Sequence, residues 1–198
     1  MKPLTKTIME YAEGLPEDEV IHANALLHLG NRAAIDKALS RLAEREQLSR
    51  ICHGFYVRLL ESRFGKYSAS SDLLVRSFAR ATGESILPIP SATANVLRLT
   101  TQNVVRSIYI TSGRNRCLTF GRSQTELRHA PRWYFSVGDG MSGRALRVAG
   151  WEGPRHAADI LCSLKSELSS SDLREMANAR PKLPSWLAEE VSGFVAND

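Results

Sequence analysis

The chain has 198 residues, of which 43% are hydrophobic, enough to bury a core in one large domain or two small ones. No apolar run approaches the ~20 residues of a membrane helix, and the N-terminus lacks the apolar stretch of a signal peptide, so a cytosolic location is expected. The net charge of +5 is uneven: residues 31–60 carry six Lys/Arg against three Asp/Glu and residues 61–130 ten against four, while residues 1–30 are acidic.

In chain order, Leu4–Glu13 predicts a short amphipathic helix with Leu4, Ile8, Tyr11 and Ala12 inward, ended by Gly14. An acidic turn follows (Glu17, Asp18, Glu19), and Val20–Ile21 reads as a short strand. His22–Leu29 reads as a first helix, and Gly30 as the turn into a second. That second helix begins after Asn31, an N-cap whose side-chain oxygen can accept a free first-turn amide. In it Ile35, Ala38, Leu39 and Leu42 fall on one face, leaving Ala33, Lys37 and Ser40 opposite, flanked by Arg32, Asp36 and Arg41. Leu48–Ile51 and Phe55–Arg58 then read as strands of a hairpin turning at Cys52-His53-Gly54. Helix, turn, basic helix and hairpin are the elements of a winged helix-turn-helix, which places its second helix in the DNA major groove. On that reading Arg32, Lys37 and Arg41 contact phosphates or guanine edges, and Asn31 and Ser40 reach bases or backbone. Ala33 meets a thymine methyl, and Arg50, His53 and Arg58 serve the hairpin. The alternative is a solvated helix face on a plain helical bundle.

Leu60–Ser71 is Ser-rich and reads as a linker, so a domain boundary is expected near residue 66, dividing the chain into 1–66 and 67–198. Asp72–Ala81 predicts an amphipathic helix ended by Gly83, and Ile86–Ile89, broken by Pro88 and Pro90, an edge strand or an extended segment. Ser91–Leu99 predicts a helix. Val104–Thr111, Arg116–Phe120 and Thr125–His129 predict successive strands of an antiparallel meander. Helices are expected over Arg144–Val148, Pro154–Glu167, Asp172–Ala179 (capped by Ser170 or Ser171) and Trp186–Val195, with Trp151 and Trp186 as core or interdomain residues. The fold expected is α+β: a winged helix-turn-helix, then a small mixed α/β domain with a meander and C-terminal helices.

Gly138, Gly140 and Gly143 match the GxGxxG spacing of dinucleotide-binding loops. That fingerprint requires a buried strand before it, a helix after it, and an acidic residue about 20 residues on. Here the preceding Tyr134–Val137 is short and no parallel sheet surrounds it, so a plain loop is expected. No HExxH, Cys-x-x-Cys or GxxxxGK[ST] occurs, and Ser112-Gly113 is a turn rather than a nucleophile elbow. Cys52, Cys117 and Cys162 are too scattered for a disulfide framework or a zinc site. No catalytic residues, metal or cofactor are expected. A second positive surface could be built from Arg76, Arg80, Arg98, Arg106, Arg114, Arg116, Arg122 and Arg128, against the alternative of scattered solvated arginines.

Several blocks together resemble the AbiEi-type antitoxin family of bacterial abortive-infection and type IV toxin–antitoxin systems. They are Gly30-Asn31-Arg32-Ala33-Ala34-Ile35-Asp36-Lys37-Ala38-Leu39-Ser40-Arg41-Leu42, Gly54-Phe55-Tyr56, Ser91–Leu97 with Thr100-Thr101-Gln102, Ile108–Gly113 and Leu127–Arg132. The resemblance implies an N-terminal winged helix that binds operator DNA at inverted repeats and represses its own operon. It also implies a C-terminal domain that opposes a nucleotidyltransferase-like toxin without requiring a stable complex with it. The competing readings are a stand-alone winged-helix regulator with no toxin partner, and an enzyme in residues 67–198 that reverses a toxin's modification.

Overall fold

The computed structural model describes residues 2–63, 65–90, 107–121 and 123–196. The predicted helix over Ser91–Leu99, and Arg98, Arg106 and Arg122, lie outside the described residues. The chain is α+β, with antiparallel pairing in its sheets. It divides into two units, Met1–Ile86 with Arg106–Arg128, and Leu87–Val105 with His129–Asp198.

In the first unit, α1 (Leu4–Glu13) is followed by β1 (Val20–His22), a single 3-10 turn (Ala23–Leu26), α2 (Arg32–Glu44), β2 (Leu48–Cys52) and β3 (Phe55–Arg58). The strands form one sheet in the order β1-β3-β2, with Val20 opposite Val57 and Leu48 opposite Arg58. The helix expected over His22–Leu29 is reduced to the 3-10 turn. His22 is held in the ladder opposite Phe55 and stacks on its ring, 4.3 Å between centroids, so no helix can begin before Ala23. Side chains alternate across this sheet. Leu48, Ile21 and Tyr56 pack with Ile8, Ile35, Leu39 and Leu42 in one core cluster. Val20, Ile51 and Val57 pack into another with Leu74, Val75, Phe78, Leu118 and Leu127. Ile35, Leu39 and Leu42 are each at most 1% exposed, burial worth about 1.5–3 kcal/mol apiece.

The segment read as a linker instead forms a second hairpin, β4 (Leu60–Ser62) with β5 (Gly65–Tyr67). It folds back toward the end of α2, where Lys66 Nζ lies 3.6 Å from Glu46 and donates to the Arg45 carbonyl at 3.5 Å.

The expected boundary near residue 66 does not coincide with the division into units, because α3 (Ser71–Thr82) packs against β1. The backbone amide of Val20 donates to the Ser77 hydroxyl at 2.8 Å, and Ser77 is fully buried. Arg80 reaches Glu19 at 3.0 Å and Asp18 at 4.0 Å across the same junction. Ser77→Ala leaves the Val20 amide without this partner. It is expected to cost about 1–3 kcal/mol, seen as a lower urea midpoint at constant slope; an unchanged midpoint would show that the bond contributes nothing net.

The four strands β6 (Ile86–Pro88), β7 (Ser107–Thr111), β8 (Arg116–Phe120) and β9 (Ser123–His129) are arranged β6-β7-β9-β8. This corrects the expected meander, since β7 neighbours β9 rather than β8. The tight turn at Gly121 pairs β8 with β9 from Phe120–Ser123 to Arg116–Leu127, so β7 finds its partner on the other edge of β9. β8 also lies against β2.

From Trp133 onward the second unit carries helices: α4 (Trp133–Ser136), α5 (Met141–Glu152), α6 (Ala157–Ser163), α7 (Ser170–Ala179) and α8 (Ser185–Ala196). Ala145, Leu146, Ala149, Leu161, Met176, Leu187 and Val191 form its core. The predicted Pro154–Glu167 helix shortens to α6 and a 3-10 turn at Lys165–Glu167. α7 is capped by Ser169, one residue before the predicted caps, in a reciprocal pair with Asp172. Trp186 packs against the core, whereas Trp151 is 37% exposed rather than buried.

Candidate nucleic-acid interface

α2 starts where the sequence places it. The Asn31 side-chain oxygen accepts from the Ala34 amide at 2.9 Å, so Asn31 is a working cap and that oxygen is occupied. With Ile35, Ala38, Leu39 and Leu42 buried, the helical period turns Ala33, Lys37, Ser40 and Arg41 to solvent. Among the described residues, Lys37 and Arg41 have no ion-pair or hydrogen-bond partner for their side chains. Arg32 differs: its Nε donates to Asp36 at 2.8 Å and its Nη1 to Asn24. It ties the first turn of α2 to the preceding 3-10 turn, a role the sequence does not reveal because Asn24 belongs to no motif.

The β2–β3 turn lies at the same end. It has two residues, His53 and Gly54, closing between Cys52 and Phe55, and Gly54 takes φ +77°, which a side chain would resist. A Cβ at Gly54 would lie 3.8 Å from Arg32 Nη2, so the turn adjoins the start of α2. Arg50 Nη2 donates to His53 Nδ1 at 3.0 Å, fixing the imidazole at the tip. Burial, then the Arg32 charge, pushes the His22 pKa down. Arg58 is half-buried, and its Nε has no hydrogen-bond partner among the described residues. Asn31, Arg32, Ala33, Lys37, Ser40, Arg41, Arg50 and His53 are therefore exposed, whereas Arg58 faces largely inward.

Of the arginines considered for a second surface, five are described, and three of those are paired. Arg80 pairs with Glu19, Arg128 with Glu126 at 3.0 Å, and Arg116 with Glu84 at 2.6 Å. Arg76 and Arg114 have no carboxylate partner among the described residues, so these five do not make an unbroken positive surface.

The Gly138–Gly143 loop belongs to the second unit. The residues before it are helical (α4), so no strand leads into it. At the start of α5, the Ser142 amide donates to Asp172 at 3.3 Å and its hydroxyl to Glu175 at 2.6 Å. Hydrogen bonds from Ser169 hold the Asp172 carboxyl below the usual carboxylate range. Two carboxylates thus take the place a phosphate would need at this helix end. Arg147, almost fully buried, donates to the carbonyls of Tyr134, Val137 and Gly138 at 3.1–3.3 Å. Burial pushes its pKa down. The loop is held as structure.

No group of three potential metal-ligating side chains occurs among the described residues, and the three cysteines are unpaired. No helix among the described residues is long and apolar enough to cross a membrane.

Residues 7–148 match the model of a family of unknown function, DUF6088. The chain belongs to this family. The DUF6088 match takes in every residue from α2 through β9 and ends within α5, so α6, α7 and α8 fall beyond it. No curated protein matches the chain.

Proposed function

We propose that residues 4–58 are a winged helix-turn-helix and that the chain is a DNA-binding repressor of its own operon, with α2 as the recognition helix. The observation that carries this reading is the outer face of α2, where Ala33, Lys37, Ser40 and Arg41 lie exposed and the two cations are unpaired among the described residues. Phosphate contact needs free cations, and a helix backed by a buried apolar face is what fills a major groove. The order helix, strand, short turn, helix, hairpin, with the sheet arranged β1-β3-β2, supports the same reading. The test is binding of the full chain to a duplex from upstream of its gene, measured against salt. Affinity that falls with salt and exceeds that for an unrelated duplex is expected; equal, weak binding to both duplexes overturns the reading.

The resemblance of Ile108–Gly113 and Leu127–Arg132 to the AbiEi-type antitoxin family supports a further role as the antitoxin of a type IV system, opposing a nucleotidyltransferase-like toxin without a stable complex. Co-expression with the product of the adjoining gene tests it. Growth restored by this chain is expected. Growth no better with it than without it leaves a stand-alone winged-helix regulator.

A further inference from the structure

The β2–β3 hairpin, the wing on the reading above, is short. Its turn has two residues, and its tip is pinned by the stack of His22 on Phe55 and by the Arg50–His53 hydrogen bond. A second turn from a distant part of the sequence lies beside it. β8 packs against β2, and Arg116, which opens β8, donates from Nε to the Arg114 carbonyl at 3.3 Å. Arg116 sits over the Phe78 ring, and that ring lies 4.9 Å from the ring of Phe55, the residue that follows the hairpin turn.

We propose that the β7–β8 turn, Ser112–Asn115, is a second phosphate-contacting element, with Arg114 as its contact, that carries the DNA footprint past the β2–β3 hairpin. The proposal rests on the DNA-binding reading above.

The turn is built rigidly. Ser112 donates its amide to the Ser85 carbonyl and accepts the Ser85 amide on its hydroxyl, both at 3.0 Å. The Gly113 amide donates to the Thr111 hydroxyl at 3.0 Å, and that hydroxyl donates to Glu84 at 2.8 Å. Arg116 neutralises Glu84 and lies over the Phe78 ring, 5.4 Å from its centroid. Any Cβ at Gly113 would collide with the Glu84 carboxylate. Arg116 and Glu84 are thus used within the turn. Arg114 is left exposed, with no partner for its guanidinium among the described residues. A cation on a pre-formed turn loses little freedom on contacting a phosphate. None of the exposed large apolar side chains (Leu27, Tyr67, Leu73, Trp151) lies on either turn, which favours a polyanion over a protein surface.

The experiment compares the full chain, Arg114→Ala, Arg114→Lys and the double variant Lys37→Ala/Arg41→Ala on two duplexes. One spans the α2 contacts alone, and the other is longer by one helical turn, about 10 base pairs. Arg114→Ala is expected to bind the longer duplex roughly 5- to 10-fold more weakly, with a salt slope smaller by about 1. It should bind the shorter duplex as the parent does, and Arg114→Lys should keep most of the affinity for the longer one. If the double variant loses affinity while Arg114→Ala binds the longer duplex normally, this inference is overturned and the DNA-binding reading stands. If no variant departs from the parent, both fall. An Arg114→Ala defect confined to single-stranded RNA of equal length also overturns it.

Discussion

The double variant Lys37→Ala/Arg41→Ala is expected to lose about 2–4 kcal/mol of operator affinity at low salt, roughly 30- to 1,000-fold. Both side chains lie on the exposed face of α2 without partners among the described residues, so neither charge is spent inside the protein. Removing one phosphate-binding cation lowers the salt slope by about 0.9, so the double variant should show a slope smaller by about 1.8. Folding should change little, because substitutions of exposed, unpaired side chains fall within about 0.5 kcal/mol. That separates this pair from Arg32, whose bonds to Asp36 and Asn24 also hold the start of α2. Electrophoretic shifts at several salt concentrations check it. Affinity and slope equal to the parent's would remove α2 as the recognition helix.

Where the sequence is legible, the controlling interactions are local. α2 has a strong helical period and a cap three residues from the amide it serves, and both appear as expected. Gly54 at the hairpin turn and Gly83 at the end of α3, both at positive φ, follow the same logic. Where partners are remote, the sequence is less informative. His22 belongs to a strand because Phe55 pairs with it and stacks on it, which no local pattern announces. α3 belongs to the first unit because Leu74, Val75 and Phe78 pack with Val20, Ile51 and Val57 and Ser77 accepts the Val20 amide, all across the predicted boundary. The strand order β7-β9-β8 is not legible because hydrophobic alternation marks strands without fixing which edge each will use. The arginines show the limit of counting charge. Arg80 and Arg116 find carboxylates 61 and 32 residues away, so the excess over residues 61–130 overstates what faces solvent. Lys37 and Arg41 can be placed outward from periodicity alone, whereas Arg114 acquires its position beside the hairpin only through the packing of β8 on β2.

The three glycines of the GDGMSG loop are expected to behave unequally, and Gly143→Ala should be the damaging substitution. A Cβ there would run into the Gly138 carbonyl oxygen and sit 2.7 Å from its carbonyl carbon. Gly138 cannot easily retreat, because Arg147 donates to its carbonyl at 3.1 Å while also holding those of Val137 and Tyr134. Moving the loop would loosen several bonds to a buried guanidinium, and moving α5 would disturb the core packing of Ala145, Leu146 and Ala149. Overpacking of this kind costs typically 1–3 kcal/mol, and the backbone clash places Gly143→Ala at about 3 kcal/mol. For a chain of this size that corresponds to a melting temperature lower by about 6–12 °C. Gly138→Ala is the control, since a Cβ at Gly138 meets nothing within 4 Å and its φ is not positive; it should melt close to the parent. A nucleotide-binding loop would need its first glycine for the tight turn and its second for close approach to phosphate, so there Gly138→Ala would be damaging as well. Here the close approach is between Gly143 and Gly138, backbone to backbone. A Gly143→Ala variant melting within about 2 °C of the parent would show that the loop yields without cost and that Arg147 does not fix it.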